Sequence, residues 1–537
     1  MGDLDTLDRR RFLAGAAAAR AGLAVSGALA ATPPVASADA IVDATVSQLR
    51  ALLDSQAFTA LALARHFLER IALLDKRGPA INAVIELNPA ALAIAEARDA
   101  ERKAGAPLGP LHGIPILIKD NIDSADGMKT SAGSLALAGD TPARDAFIVA
   151  RLRAAGAVIL GKTNLSEWAN FRSSHATSGW SARGGLTKNP HVLDRNPSGS
   201  SSGTGAAVAA GFAALGIGTE TDGSIISPAS VCGIVGIKPT VGLWSRSGIV
   251  PISASQDTAG PMARTVADAA ALLGALTASD PNDAATRARG RVVALDYTRF
   301  LDDAALRGAR IGVPRDLAGF NGDVDRTLGE AIDALKAAGA VIVDGLKLGP
   351  TPGLDEAESE VLLYEFKVGL AAYLAARAPA GSARTLADLI AFNQRERLRE
   401  MPWFGQDLFE KAQKKGPLSD AGYRAARARC VELTRTNGLD AFFAKHRLNA
   451  LICPSNAPAW LSDLLNGDHF TGGNTTFAAV SGYPSITVPM GRAHGLPLGL
   501  SFVGPAWTEA RLIGLAYAFE RQTSARRAPR FLSSIEA

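Results

Sequence analysis

The turn Thr219-Glu220-Thr221-Asp222-Gly223-Ser224 ends on a serine placed for nucleophilic chemistry. A serine attacking an amide carbonyl needs backbone N–H groups beside it for the developing oxyanion, and a tight glycine-containing turn aims several of them at one point. Thr221, Asp222 and Gly223 supply candidates here, although Asp222 in such a turn can instead cap a helix. The serine also needs a base. No histidine follows Ser224 closely, and the chain has only seven. Upstream, the apolar run HGIPILIK ends on Lys119. An exposed lysine titrates near ~10.4, and burial can lower that by as much as ~3–5, enough to leave a neutral amine near neutral pH. The alternative is a strand-end lysine paired with Asp120. Between these two segments, Pro197-Ser198-Gly199-Ser200-Ser201-Ser202-Gly203 places a further serine in a Gly/Ser-rich loop. A flexible linker would share that composition, but this loop runs directly into the Ala/Val-rich helical pattern of residues 205–214.

The elements that must position these residues follow α/β grammar. Residues 41–75 carry apolar residues at helical spacing (Leu49, Leu52, Leu53, then Leu61, Phe67, Leu68, Ile71), and residues 89–103 are Ala/Glu/Arg-rich, so the region about 40–105 is predicted to be helical and packed on a later core. Ile114–Ile118 reads as a short strand. Residues 150–155 lead through Gly156 into Ala157-Val158-Ile159-Leu160, and residues 331–338 lead through Gly339 into Ala340-Val341-Ile342-Val343. In each unit the glycine supplies the left-handed cap that turns helix into strand. With further strands at 310–314 and 486–489, the prediction is a large mixed β-sheet covered by helices on both faces. Residues 279–297 read as a surface connection.

With 47% apolar and 20% charged residues among 537, the chain has the material for a large buried core. A formal net charge of +4 suggests neither nucleic acid nor an anionic membrane as partner. Residues 1–38 have the order of a twin-arginine export signal: Arg9-Arg10-Arg11-Phe12-Leu13, an Ala/Gly/Leu-rich stretch, and Ala36-Ser37-Ala38 as a small-x-small cleavage site. Arg20 interrupts the apolar stretch and argues against a membrane span. The expectation is a periplasmic or secreted protein with no stable membrane insertion after signal removal. Three scattered cysteines, Cys232, Cys430 and Cys453, suggest neither a disulfide framework nor a metal site, with a single Cys430–Cys453 bridge left open.

Lys119, the Gly/Ser loop and the Ser224 turn together resemble the amidase signature family. The resemblance extends through GKTNLSEWANF (161–171), VGIKPTVG (235–242), QDTAGPMART (256–265), GYPSITVPMG and GLPLGLSFVG, covering nearly all of residues 39–537. It implies the amidase signature fold and a Ser-Ser-Lys triad of Lys119, Ser200 and Ser224, with the Gly199–Ser200 peptide cis. Ser200 would pass a proton from Ser224 to Lys119, and Thr221, Asp222, Gly223 and Ser224 would form the oxyanion hole. Within the family, SAGSLAL, SEWANF and LLYEFK look most similar to bacterial peptide amidases, which hydrolyse C-terminal carboxamides of peptides. The implied substrate is a small-molecule or peptide amide, with no metal or organic cofactor, and a monomer is compatible. Ile226 stands where many members carry an arginine two positions after the nucleophile, which suits a neutral substrate better than a small acidic amide.

Other readings compete. Gly199-Ser200-Ser201-Ser202-Gly203 satisfies the G-x-S-x-G nucleophile elbow, yet residues 189–197 contain two prolines and cannot be the central strand that motif requires. Cys232, among apolar neighbours, suits core packing better than thiol chemistry. His112 and His175 suit loop positions rather than a general base. A broad-specificity, aryl or fatty acid amide hydrolase is the nearest alternative. The ammonia-releasing component of a glutamine-dependent amidotransferase needs cytoplasmic tRNA, against the export signal. A silent binding protein is disfavoured by the complete triad.

Overall fold

Short apolar runs bounded by glycine and proline build one large sheet. The computed structural model describes residues 41–349, 351–377 and 383–535; the export signal expected over residues 1–38 lies outside the described residues. The strands are β1 Val84–Leu87, β2 Pro115–Lys119, β3 Val158–Thr163, β4 Trp180–Ser181, β5 Gly185–Leu186, β6 Leu215–Glu220, β7 Val235–Lys238, β8 Thr258–Ala263, β9 Arg310–Pro314, β10 Val341–Leu346, β11 Ala450–Pro454, β12 Ser485–Ala493 and β13 Leu496–Val503. β4 and β5 form a separate ribbon. The other eleven form a single sheet in the order β1-β3-β2-β6-β8-β7-β12-β13-β11-β9-β10.

β2 lies parallel to both β3 and β6, and β9 lies parallel to β10 and β11. The remaining neighbours are antiparallel, so the sheet is mixed. Every residue of β2, β3, β6, β7, β8, β11 and β13 is buried, which requires cover on both faces. The helices Phe147–Ala154 and Gly322–Ala337 precede β3 and β10. Gly156 (φ +82°) and Gly339 (φ +91°) make the left-handed turns between them.

The N-terminal region holds the helices Val46–Asp54, Ala60–Leu74 and Ala91–Lys103. Thr45 and Gln48 form a capping box on the first, and Leu63, Phe67 and Ile71 bury one face of the second. β1 interrupts this region and joins the sheet edge against β3. Its four residues, VIEL, run from buried Val84 to exposed Leu87 and carry too little pattern to be seen in the sequence. The helical pattern of 205–214 becomes the helix Ser202–Ala209, ended by Gly211 (φ +70°) before β6. Residues 279–297 are less peripheral than the sequence suggests, because buried Asp280 accepts from Ser245 Oγ at 2.5 Å and Asp283 pairs with Arg246 at 2.6 Å. Cys232, Cys430 and Cys453 are free and buried. Among the described residues no helix is long and apolar enough to cross a membrane.

The parallel run β3-β2-β6 matters most for function. Its strands end together, and side chains from the carboxyl ends of such strands share one crevice. Lys119 is the last residue of β2, and Thr219 and Glu220 end β6.

Candidate active site

Lys119 is fully buried, and the alternation of a strand sends it away from Asp120. Asp120 is held instead by Ser131 and Arg183. Lys119 Nζ lies 2.7 Å from Ser200 Oγ, 3.1 Å from Ser201 Oγ, 2.9 Å from Thr219 Oγ1 and 3.3 Å from the Thr219 carbonyl oxygen. Asn121 Nδ2 donates to the same Thr219 hydroxyl at 3.0 Å. Burial pulls the lysine pKa down to about 7, opposed by the charges of Glu220 and Asp257. The amine is therefore about half neutral at pH 7, and a neutral amine has a lone pair for the Ser200 hydroxyl proton.

The Gly/Ser loop is tied down at each residue that matters. The Gly199–Ser200 peptide is cis. Ser200 C=O accepts from Ser166 N–H at 3.1 Å, Ser201 N–H donates to the Ser224 carbonyl at 3.1 Å, and the Ser198 and Ser227 hydroxyls lie 2.7 Å apart. A Cβ on Gly199 would meet Ser166 Oγ at 2.1 Å, and that hydroxyl accepts from Gly179 N–H at 2.9 Å, so a side chain here would force a shift that breaks or strains this contact. Ser201 also locks the loop to β6, accepting from Thr219 N–H at 3.2 Å and donating to Thr219 C=O at 3.1 Å.

The Ser224 turn is held from outside while its N–H groups stay free. Asp222 accepts from Thr475 Oγ1 at 2.5 Å and Thr476 Oγ1 at 2.7 Å, and Thr221 Oγ1 donates to Asp257 at 2.6 Å. Gln256 Nε2 reaches the Thr221 carbonyl at 3.3 Å and is itself held by Glu358 at 2.7 Å. Glu220, not Asp222, caps the helix Ile226–Val231, accepting from Ile225 N–H and Ile226 N–H at 2.7 and 2.9 Å. The N–H groups of Thr221, Asp222, Gly223 and Ser224 donate to no other described residue. Ser224 Oγ is likewise unbonded among the described residues, and its residue keeps 8% exposure where Lys119 and Ser200 have none. No hydrogen bond joins Ser224 Oγ to Ser200 Oγ, and bonds of this kind often tighten only around a bound substrate.

A cavity of about 230 Å³ adjoins the cluster, walled by Thr219 and Thr221 on one side and by Val250, Pro251 and Ile252 on another. The helix Leu354–Arg377 covers it through Gly369 and anchors its rim, Glu365 accepting from Ser253 Oγ at 2.6 Å and Ser255 N–H at 2.9 Å.

Similarity to known proteins bears on this arrangement. The sequence model of the family described as Amidase matches residues 62–513. The chain belongs to the amidase family. The native peptide amidase of Stenotrophomonas maltophilia is 51% identical and superposes with a TM-score of 0.87, covering 91% of this chain and 99% of that one. A probable amidase of Arabidopsis thaliana is 41% identical over 507 residues, 92% of each chain. A putative amidase of Schizosaccharomyces pombe is 36% identical over 518 residues, 91% of this chain and 87% of that one. The protein is an amide hydrolase of the amidase signature fold.

The amidase fold disposes of the rival chemistries seen in the sequence. Residues 189–197 form no strand, only isolated bridges from Val192 to Leu532 and Arg195 to Leu461, so no nucleophile elbow exists. Burial pushes the Cys232 thiol far up, away from reactivity. His112 is buried against Glu101 and Arg102, and His175 lies in a separate surface groove with Trp403 and Asp407. Ile226 is buried, with its N–H on Glu220. Sequence reasoning passed over Asn121, Ser201, Gln256, Thr475 and Thr476.

Proposed function

We propose that Ser224 is the nucleophile of a Ser-Ser-Lys relay that hydrolyses C-terminal carboxamides of peptides. The observation that carries the relay is the 2.7 Å contact between buried Lys119 Nζ and Ser200 Oγ, beside a turn with four uncommitted N–H groups. Ser224 Oγ bonds to the amide carbon while its proton passes to Ser200 Oγ and the Ser200 proton passes to Nζ. The carbonyl oxygen takes the negative charge and sits against the N–H groups of the Thr221–Ser224 turn. The relay returns a proton to the amide nitrogen, the C–N bond breaks, and ammonia leaves an acyl-serine ester. Water attacks that ester through the same relay, releasing the acid and restoring Ser224.

The peptide carboxamide reading is supported by the 51% identity to a peptide amidase and by the apolar, buried Ile226. The N-terminal sequence supports action outside the cytoplasm after export. The test is ammonia release from peptide C-terminal amides, with free glutamine and a fatty acid amide as controls, in wild type beside Ser224→Ala and Lys119→Ala. Release from peptide amides that drops at least ~10³-fold in Ser224→Ala is expected. Release only from the controls would reject the substrate class, and wild-type rates in either variant would reject the relay.

A further inference from the structure

We propose that the cavity beside Thr219 and Thr221 receives the side chain of the residue that bears the cleaved amide, and that it selects uncharged, apolar side chains of leucine or phenylalanine type. The inference rests on the peptide carboxamide reading and assigns one subsite to it. Position is the first argument. The cavity touches Thr219, whose hydroxyl is 2.9 Å from Lys119 Nζ, and Thr221, which opens the turn of free N–H groups. Thr221 belongs to both the turn and the cavity wall, so a carbonyl seated on the turn brings a neighbouring substituent toward the cavity.

Size and lining give the class. At about 230 Å³ the cavity is smaller than the ~300–1,000 Å³ of sites that enclose a whole drug-sized ligand, so it takes one side chain rather than a peptide. Ile249, Val250, Pro251 and Ile252 give it an aliphatic wall. Two of its charged members, Arg246 and Asp257, are fully engaged. Arg246 is bound by Asp283 at 2.6 Å and by the Ala254 carbonyl at 2.5 Å, while the Asp257 carboxylate accepts from Thr221 Oγ1, Ile252 N–H and Ser253 N–H. Glu220 Oε2 caps the helix and its Oε1 has no hydrogen-bond partner among the described residues, but the carboxyl faces the Lys238 charge. An anionic guest would lose its water and find no free counter-charge, and a cationic guest would have to compete with Lys238 for the Glu220 carboxyl. A second unpartnered polar atom belongs to Asn121, which lines the cavity and is 3% exposed, and whose Oδ1 has no donor among the described residues. That oxygen fits the main-chain N–H of an aminoacyl amide, which enters with its side chain.

Gly369 provides the test. It sits within the helix Leu354–Arg377 and lines the cavity, and a Cβ added there meets Pro251 at 3.4 Å, an ordinary contact. A longer side chain at 369 therefore fills the cavity without forcing the backbone. The experiment measures kcat/KM by ammonia release for peptide amides ending in Leu, Phe, Gly, Lys and Glu, in wild type, Gly369→Ala and Gly369→Leu. The wild type is expected to favour Leu and Phe over the other three by at least ~10-fold, since each buried methylene is worth ~10-fold or more in such a pocket. The Leu-to-Gly ratio is expected to fall at least ~10-fold in Gly369→Leu and by less in Gly369→Ala, which carries the test if the larger variant fails to fold. Equal values across the panel in wild type, or an unchanged ratio in the variants, would overturn the subsite while leaving the peptide amidase reading intact. No release from any peptide amide, with release from glutamine or a fatty acid amide, would overturn that reading and this one with it.

Discussion

Lys119 should make activity depend on pH in a way no other base in this site would reproduce. Its ordinary pKa is 10.5 and burial brings it to about 7; at ~1.4 kcal/mol per pH unit, holding the ammonium in the fold costs about 5 kcal/mol relative to water. With the base neutral above about 7, log kcat/KM should rise with unit slope through acidic pH and flatten above neutrality. Activity at pH 5 should be roughly 1% of the plateau. A lysine left at 10.5 would be neutral in only about one molecule in 3,000 at pH 7, and the profile would climb to pH 10. Glu220→Gln tests the cause. Glu220 Oε2 alone accepts the two helix N–H bonds and its Oε1 has no partner, so the amide keeps both bonds while removing the charge that most strongly favours the ammonium. The midpoint should therefore move to lower pH. Ammonia release from a peptide amide between pH 5 and 10 gives both profiles. A flat wild-type profile, or a midpoint that stays put or moves up in Glu220→Gln, would refute the argument.

Lys119 should also shape stability. Because its folded pKa is lowered, the unfolded chain holds a proton that the folded protein has shed between about pH 7 and 10.5, so this residue's burden is full below 7 and disappears as pH rises to 10.5. Lys119→Met should gain more thermal stability over wild type at pH 6 than at pH 9, and calorimetry at the two values checks it. In Gln256→Ala the Thr221 carbonyl loses its anchor and the trans peptide behind it can rotate the Asp222 N–H away from the oxyanion; kcat should fall ~10- to 100-fold with KM little changed, whereas Glu358→Gln, which still accepts from Gln256, should retain most of its rate. Gly199→Ala brings a Cβ to 2.1 Å from Ser166 Oγ and should lower stability by ~1–3 kcal/mol together with activity, read by chemical denaturation and ammonia release.

The sequence by itself determined which segments become strands and where their chain turns. Gly156 and Gly339 follow helices that end in small residues and precede β-branched runs, and both adopt the left-handed turn that only such a context requires. The pairing of Lys119 with Ser200 was legible only through family resemblance, because 81 residues separate the two and no local rule spans that distance. The short strand β1 and the inward turn of Asp280 and Asp283 carried no local pattern at all. What the tertiary structure decided is the state of the groups. A lysine has the same chemistry in any peptide, and Lys119 becomes a base near pH 7 because β2 is buried on both faces and delivers it among hydroxyls instead of carboxylates. Free N–H groups in the Ser224 turn exist because Thr475, Thr476, Gln256 and Asp257, all remote in sequence, hold its other polar atoms in place. Solvation and long-range contact set both properties, and neither is a property of a short stretch of chain.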